Sequence, residues 1–175
     1  MAMRRNVLIA ATAMALVTAV SVPSAGAAPA APAKPEAASA GNCPFTSSIK
    51  LTPGLTMTPK DFTFTQSGTV GPCQGPDGSA LSGSLVILKG VGNGGCPTAN
   101  VTAPFTVEWD NKQTSSGVVK ATTVAALGQL SGNIDKGLFA GSPFTGFVAI
   151  NPQGPVQCGT TGITDAVIYG ELVFQ

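Results

Sequence analysis

Histidine is absent from this 175-residue chain. Its absence removes the commonest general base and metal ligand at neutral pH, and with it Ser-His-Asp catalysis, Cys-His catalysis and histidine-containing zinc sites. Charge is scarce too: 10% of residues are charged, and the only arginines are Arg4 and Arg5. From Ala28 onward seven lysines face eight acids, which leaves a net charge of −1. A near-neutral, arginine-free chain has no electrostatic footprint for nucleic acid, and no such partner is expected. Large amphipathic aromatics are limited to Trp109 and Tyr169. A sugar site usually offers several such faces, so both are read as core residues.

Glycine (22) and proline (14) are plentiful, a balance that favours strands and turns over helices. Residues 1–27 read as an export signal: Arg4-Arg5 form the basic segment, Val7 to Val20 the apolar one, and Ala25-Gly26-Ala27 the small-residue cleavage site. Twin-arginine export could use Arg4-Arg5, but so short a basic segment favours general secretion. The apolar run falls short of the roughly 20 residues a membrane helix needs, so no transmembrane anchor is expected. Residues 28–41, rich in Ala and Pro, read as a disordered leader. A single secreted domain is expected over 42–175.

The clearest pattern in that domain is VTAPFTVEWDNKQTSSGVV. Val101, Ala103, Phe105, Val107 and Trp109 share one parity, and Thr102, Pro104, Thr106, Glu108 and Asp110 share the other. Strict alternation marks a strand with one dry and one wet face. Asp110 to Gln113 then suit a short reversal into a returning strand. Phe105 is therefore expected to point inward. Strands are expected at about 45–51, 61–70, 80–91, 101–109, 114–124, 128–135, 143–151 and 164–174. No helical period intervenes, so the expected fold is all-β: a small antiparallel up-and-down barrel of seven or eight strands, with a β-sandwich as the alternative. Pro104 lacks an amide donor and places its part of the strand at an edge or a bulge. Gly68, Gly83, Gly117, Gly132, Gly146 and Gly170 interrupt strand patterns, which suggests sharp coiling, bulges or an aromatic packed over bare backbone.

The export signal, SGTVGPC, TVEWDNKQTS, SGNIDKGLFAG and CGTTGITDAVIYGELVF together resemble a group of small secreted actinobacterial proteins, from about Phe62 onward. Those proteins are uncharacterised extracellular β proteins. The resemblance implies location and fold and carries no catalytic residues.

Cys43, Cys73, Cys96 and Cys158 form an even set in a chain expected to be exported, and read as two disulfides rather than a four-thiolate metal site. If the strands run up and down in order, Cys43 and Cys73 fall at one end and Cys96 and Cys158 at the other. Bridged alpha carbons lie within about 7 Å, so the expected pairs are Cys43–Cys73 and Cys96–Cys158.

Other candidates are weaker. Glu108 and Asp110 share the wet parity and could act as paired carboxylates, although a solvated face explains them as well. Asp110, Asn111 and Asp135 could contribute to a calcium site, but form no clustered ligand loop. Asn100-Val101-Thr102 matches a glycosylation sequon. Lys136, Leu138 and Phe139 form a possible interaction loop: either an exposed apolar tip, an inhibitor-like Lys136-Gly137 turn, or a plug folded into one end of a barrel. No cofactor or metal is expected. The sequence thus points to a secreted, non-catalytic binding or envelope-associated module, whose partner is an extracellular protein, a glycan or a small molecule. The alternatives are a protease inhibitor and a histidine-free hydrolase.

Overall fold

The structure is a computed structural model that describes residues 41–152 and 157–175. The expected signal (1–27) and leader (28–41) lie, apart from Gly41, outside the described residues. Alternation builds the strands. In β1 (Asn42–Leu55), Cys43, Phe45, Ser47, Ile49 and Leu51 are buried while their intervening neighbours are exposed. The other strands are β2 (Lys60–Gln74), β3 (Ala80–Gly94), β4 (Thr98–Trp109), β5 (Thr114–Val124), β6 (Leu127–Gly137), β7 (Pro143–Pro152) and β8 (Ile163–Phe174), with a 3-10 turn at Gln157–Gly159.

Each strand pairs antiparallel with its sequence neighbour, and β1 pairs with β8 to close an eight-stranded barrel. Closure leaves no strand edge, which rules out the sandwich. All eight expected strands form, and several run further than their sequence limits. Pro53, Gly71, Pro72, Gly92 and Gly94 look like punctuation in the chain, yet lie within β1, β2 and β3. Pairing on both sides carries β3 through Gly92 and Gly94, whereas Pro53, Gly71 and Pro72 fall where the registers shift. Pro104 pairs with Val118 in the unbroken β4–β5 ladder, and on its other side faces the stretch where the β3–β4 register shifts around a bulge in β3, between Thr102 and Thr106.

The cysteines pair as strand parity requires. Cys43–Cys73 has alpha carbons 4.5 Å apart, and Cys96–Cys158 has them 6.1 Å apart. The first pair joins adjacent strands. The second joins the β3–β4 turn to the β7–β8 connection, which lie on opposite sides of a ring of eight. Cys158 therefore reaches across that end of the barrel to meet Cys96.

Candidate functional site

The interior of the barrel is hollow. Inward side chains enclose an apolar cavity of about 380 Å³. Eight-stranded barrels are near the size at which side chains alone fill the interior or one small ligand fits, so the detail of the wall decides between these outcomes. Phe45, Phe62, Phe64 and Phe144 all point inward, but each stands directly opposite a glycine on the next strand: Gly170, Gly92, Gly90 and Gly132 respectively. Each ring occupies the space that a Cβ on its glycine would need. The rings therefore lie along the wall over bare backbone rather than across the barrel axis. Gly132 and Gly170 stood out in the sequence; Gly90 and Gly92 did not. A consequence is that inward residues such as Leu85, Val101, Phe105, Val119 and Ala121 are only half-buried, because they face the void.

One end of the cavity is sealed by aromatic side chains. Trp109 at the end of β4 is buried, and its Nε1 donates to Ser115 Oγ at 2.8 Å. Ser115 in turn donates to the carbonyl of Leu138. Phe139 follows with φ of 65°, a left-handed conformation that is unusual for a bulky residue and aims its ring into the barrel. That ring stacks on Phe174 at 5.3 Å and meets Trp109 edge-on at 5.6 Å, and Phe174 contacts Phe144 at 6.0 Å.

The opposite end is framed by backbone. Cys96 N donates to Thr56 O, Ala125 N to Pro97 O, and Ile150 N to Ala126 O, at 2.9, 2.8 and 2.7 Å. The Cys96–Cys158 bridge is the only disulfide at this end among the described residues. The cavity lining toward this end includes Leu55, Ala125, Ala126, Ile150, Ile163 and the bridge itself, all small or incompletely buried. No large aromatic from the described residues spans it.

The lining has no ionisable side chain among the described residues apart from the bridged cysteines. Its polar side chains are Gln66, Ser115 and Thr123. Gln66, on the inward parity of β2, donates from Nε2 to Ser47 Oγ at 2.8 Å. Thr123 donates to the carbonyl of Ala99.

The residues singled out in the sequence are distributed around this cavity rather than gathered in it. Glu108 and Asp110 are exposed on the outer face, and Asp110 Oδ2 accepts from the Ser82 amide at 3.2 Å. Asn111 is committed to its own turn through two 3.0 Å bonds with Gln113. No group of three or more metal-ligating side chains occurs among the described residues. Asn100 is exposed and accepts from Thr122 Oγ1. Of the readings of Lys136, Leu138 and Phe139, the plug folded into one end is the one found and the exposed apolar tip is corrected: Lys136 is exposed but paired with Ser116 in the β5–β6 ladder, Leu138 is half-buried, and Phe139 is buried in the seal. Tyr169 is a second correction. It is 48% exposed on the outer face, because its parity is opposite to that of the inward Ile168, Leu172 and Phe174. Gln66 was missed in the sequence. Its one signal was a polar residue on the parity of Phe62, Phe64 and Val70.

Compared with known protein families, with curated proteins and with solved structures, the chain shows no match.

Proposed function

We propose that this protein is a secreted, non-catalytic binding module that holds an apolar small molecule inside its barrel. The observation that carries this reading is the hollow, almost wholly apolar lumen. A cavity of about 380 Å³ falls within the roughly 300–1,000 Å³ typical of small-molecule sites. At about 24 cal/mol per Å³, a void of this size costs several kcal/mol relative to a filled core. Larger inward residues would recover that energy, yet the Phe–Gly pairs keep the rings against the wall. An apolar cavity also holds water poorly and takes up apolar guests. Two disulfides with no free cysteine among the described residues are consistent with an extracellular location, as is the resemblance to secreted actinobacterial β proteins.

The test is fluorescence titration of the purified barrel with N-phenyl-naphthylamine, which brightens in apolar surroundings. Saturable one-to-one binding is expected. Ala121→Trp places a ring in the void and should weaken binding at least tenfold while far-UV circular dichroism is unchanged. Ala121→Leu, a milder filling, should fall between. Absence of binding to the wild type, or equal binding by all three proteins, defeats the reading.

A further inference from the structure

We propose that the lumen takes an uncharged, mainly hydrocarbon ligand bearing one hydrogen-bonding oxygen, and that Gln66 is the residue that reads that oxygen. The inference rests on the lumen being a binding site, and adds the chemical class of what enters it. Size comes first. At about 30 Å³ for each water-sized group, a cavity of about 380 Å³ has room for roughly a dozen. Charge comes next. A carboxylate or ammonium drawn into this wall would find no opposite charge among the lining residues, and burying an unpaired ion costs several kcal/mol. The ligand is therefore neutral within the barrel.

The polar side chains of the lining then separate by what they already do. Ser115 is committed at the sealed end, accepting from Trp109 and donating to Leu138. Thr123 donates to a backbone carbonyl near the mouth. Gln66 is different. It sits in mid-strand, its cross-strand partners being Ile49 and Ile87, and is six residues from Lys60 at the mouth end of β2, about 20 Å of strand. Its amide has two donors and an acceptor oxygen. One donor reaches Ser47 Oγ, which is itself buried. Its carbonyl oxygen and second N–H have no further partner among the described residues, and the half-buried side chain lines the cavity. Underused polar capacity in a dry wall is costly unless a guest completes it. An alcohol would donate to the Gln66 carbonyl; a ketone or ester would accept from its N–H. Either places the ligand's polar atom deep in the barrel and its hydrocarbon toward the mouth.

The experiment is competition against bound N-phenyl-naphthylamine by four probes of one chain length: octane, octanol, octanoate and octylammonium. In the wild type octanol should bind at least about a hundredfold more tightly than either ion. Gln66→Leu should raise the octanol-to-octane ratio of dissociation constants about fivefold or more, the worth of one net hydrogen bond, while octane still binds. Retained octane binding shows that the variant is folded, and Gln66→Met provides a second apolar side chain should leucine misfold. Thr65→Val, on the outer face of β2, should leave the ratio unchanged. If the dye and octane bind but the ratio does not move in either Gln66 variant, or the ions compete as well as octanol, this inference falls and the lumen remains a binding site. If neither the dye nor octane binds the wild type, both fall together.

Discussion

The two ends of the barrel are built by different means. The sealed end is closed by side chains: Trp109 meets Phe139 edge-on, Phe139 stacks on Phe174, Phe174 meets Phe144, and Trp109 is bonded to Ser115. The mouth end is held by backbone hydrogen bonds between successive turns and by a disulfide that crosses it. Side chains fill volume whereas backbone bonds fix a frame without filling it. One barrel can therefore be rigid at both ends and hollow toward only one.

The largest expected difference lies in the disulfides. Loop-closure entropy alone assigns about 3.6 kcal/mol to Cys43–Cys73, which spans 30 residues, and about 4.3 kcal/mol to Cys96–Cys158, which spans 62. Burial reverses that order. Cys43 and Cys73 are 0% and 2% exposed, so replacing both by serine also buries hydroxyls at roughly 1–3 kcal/mol each when unpaired. Cys43→Ser/Cys73→Ser should thus cost about 5 kcal/mol or more in denaturant melts, against about 4 kcal/mol for Cys96→Ser/Cys158→Ser. The mouth-end variant should instead speed dye exchange in stopped-flow measurements, because Cys158 is no longer tied to Cys96 across that end. Unchanged exchange would mean that the bridge does not limit access.

Next in size is the contrast between seal and rim. Trp109→Ala should cost about 4 kcal/mol by leaving a cavity and removing the donor to the buried Ser115 Oγ. Ile163→Ala, at the half-buried rim, should cost only about 1–2 kcal/mol. Similar losses would show that the two ends are equally packed.

Phe105 sharpens the comparison between them. Parity alone makes it a core residue worth ~3–5 kcal/mol on truncation to alanine. In the structure it is half-buried, facing the void and touching Phe144 edge-on at 5.6 Å. Phe105→Ala should therefore cost about 2 kcal/mol, and the enlarged lumen should still bind the dye. A loss equal to that of Trp109→Ala would mean that the interior is filled.

The smallest effect is electrostatic and lies on the β2–β3 turn at the sealed end. Asp77 Oδ1 accepts from Ser79 Oγ at 2.6 Å and from the Ser79 amide at 3.0 Å. These bonds hold its pKa below the ordinary value of 3.8, since they favour the charged carboxylate. A depressed folded pKa adds stability that is present above the ordinary value and is lost as pH falls through the folded one. An NMR titration should show the Asp77 midpoint below 3.8, and Ser79→Ala should return it toward that value. A midpoint unaffected by Ser79→Ala would remove the hydroxyl as the cause.

Much of the fold was legible because alternation and turn chemistry are local. The parity of Phe62, Phe64 and Val70, or of Ile168, Leu172 and Phe174, needs no knowledge of the rest of the chain. Counting strand reversals was enough to place each cysteine at one end. The cavity was not legible in this way. Parity says that Phe64 points inward, but not that Gly90 lies opposite to receive its ring, because cross-strand register is set only when distant segments pair. Phe139 was legible as a plug for one end, but not the left-handed backbone with which it enters the barrel.

The sequence by itself determined the all-β class, the inward and outward faces of most strands, and the ends to which the cysteines belong, since each follows from period-two patterning along the chain. Only the tertiary structure decided that β1 closes on β8, that one end is sealed and the other framed, and that Gln66 faces a hollow interior. Those features depend on which strands become neighbours and on whether the side chains reaching the axis can fill the space enclosed by eight strands.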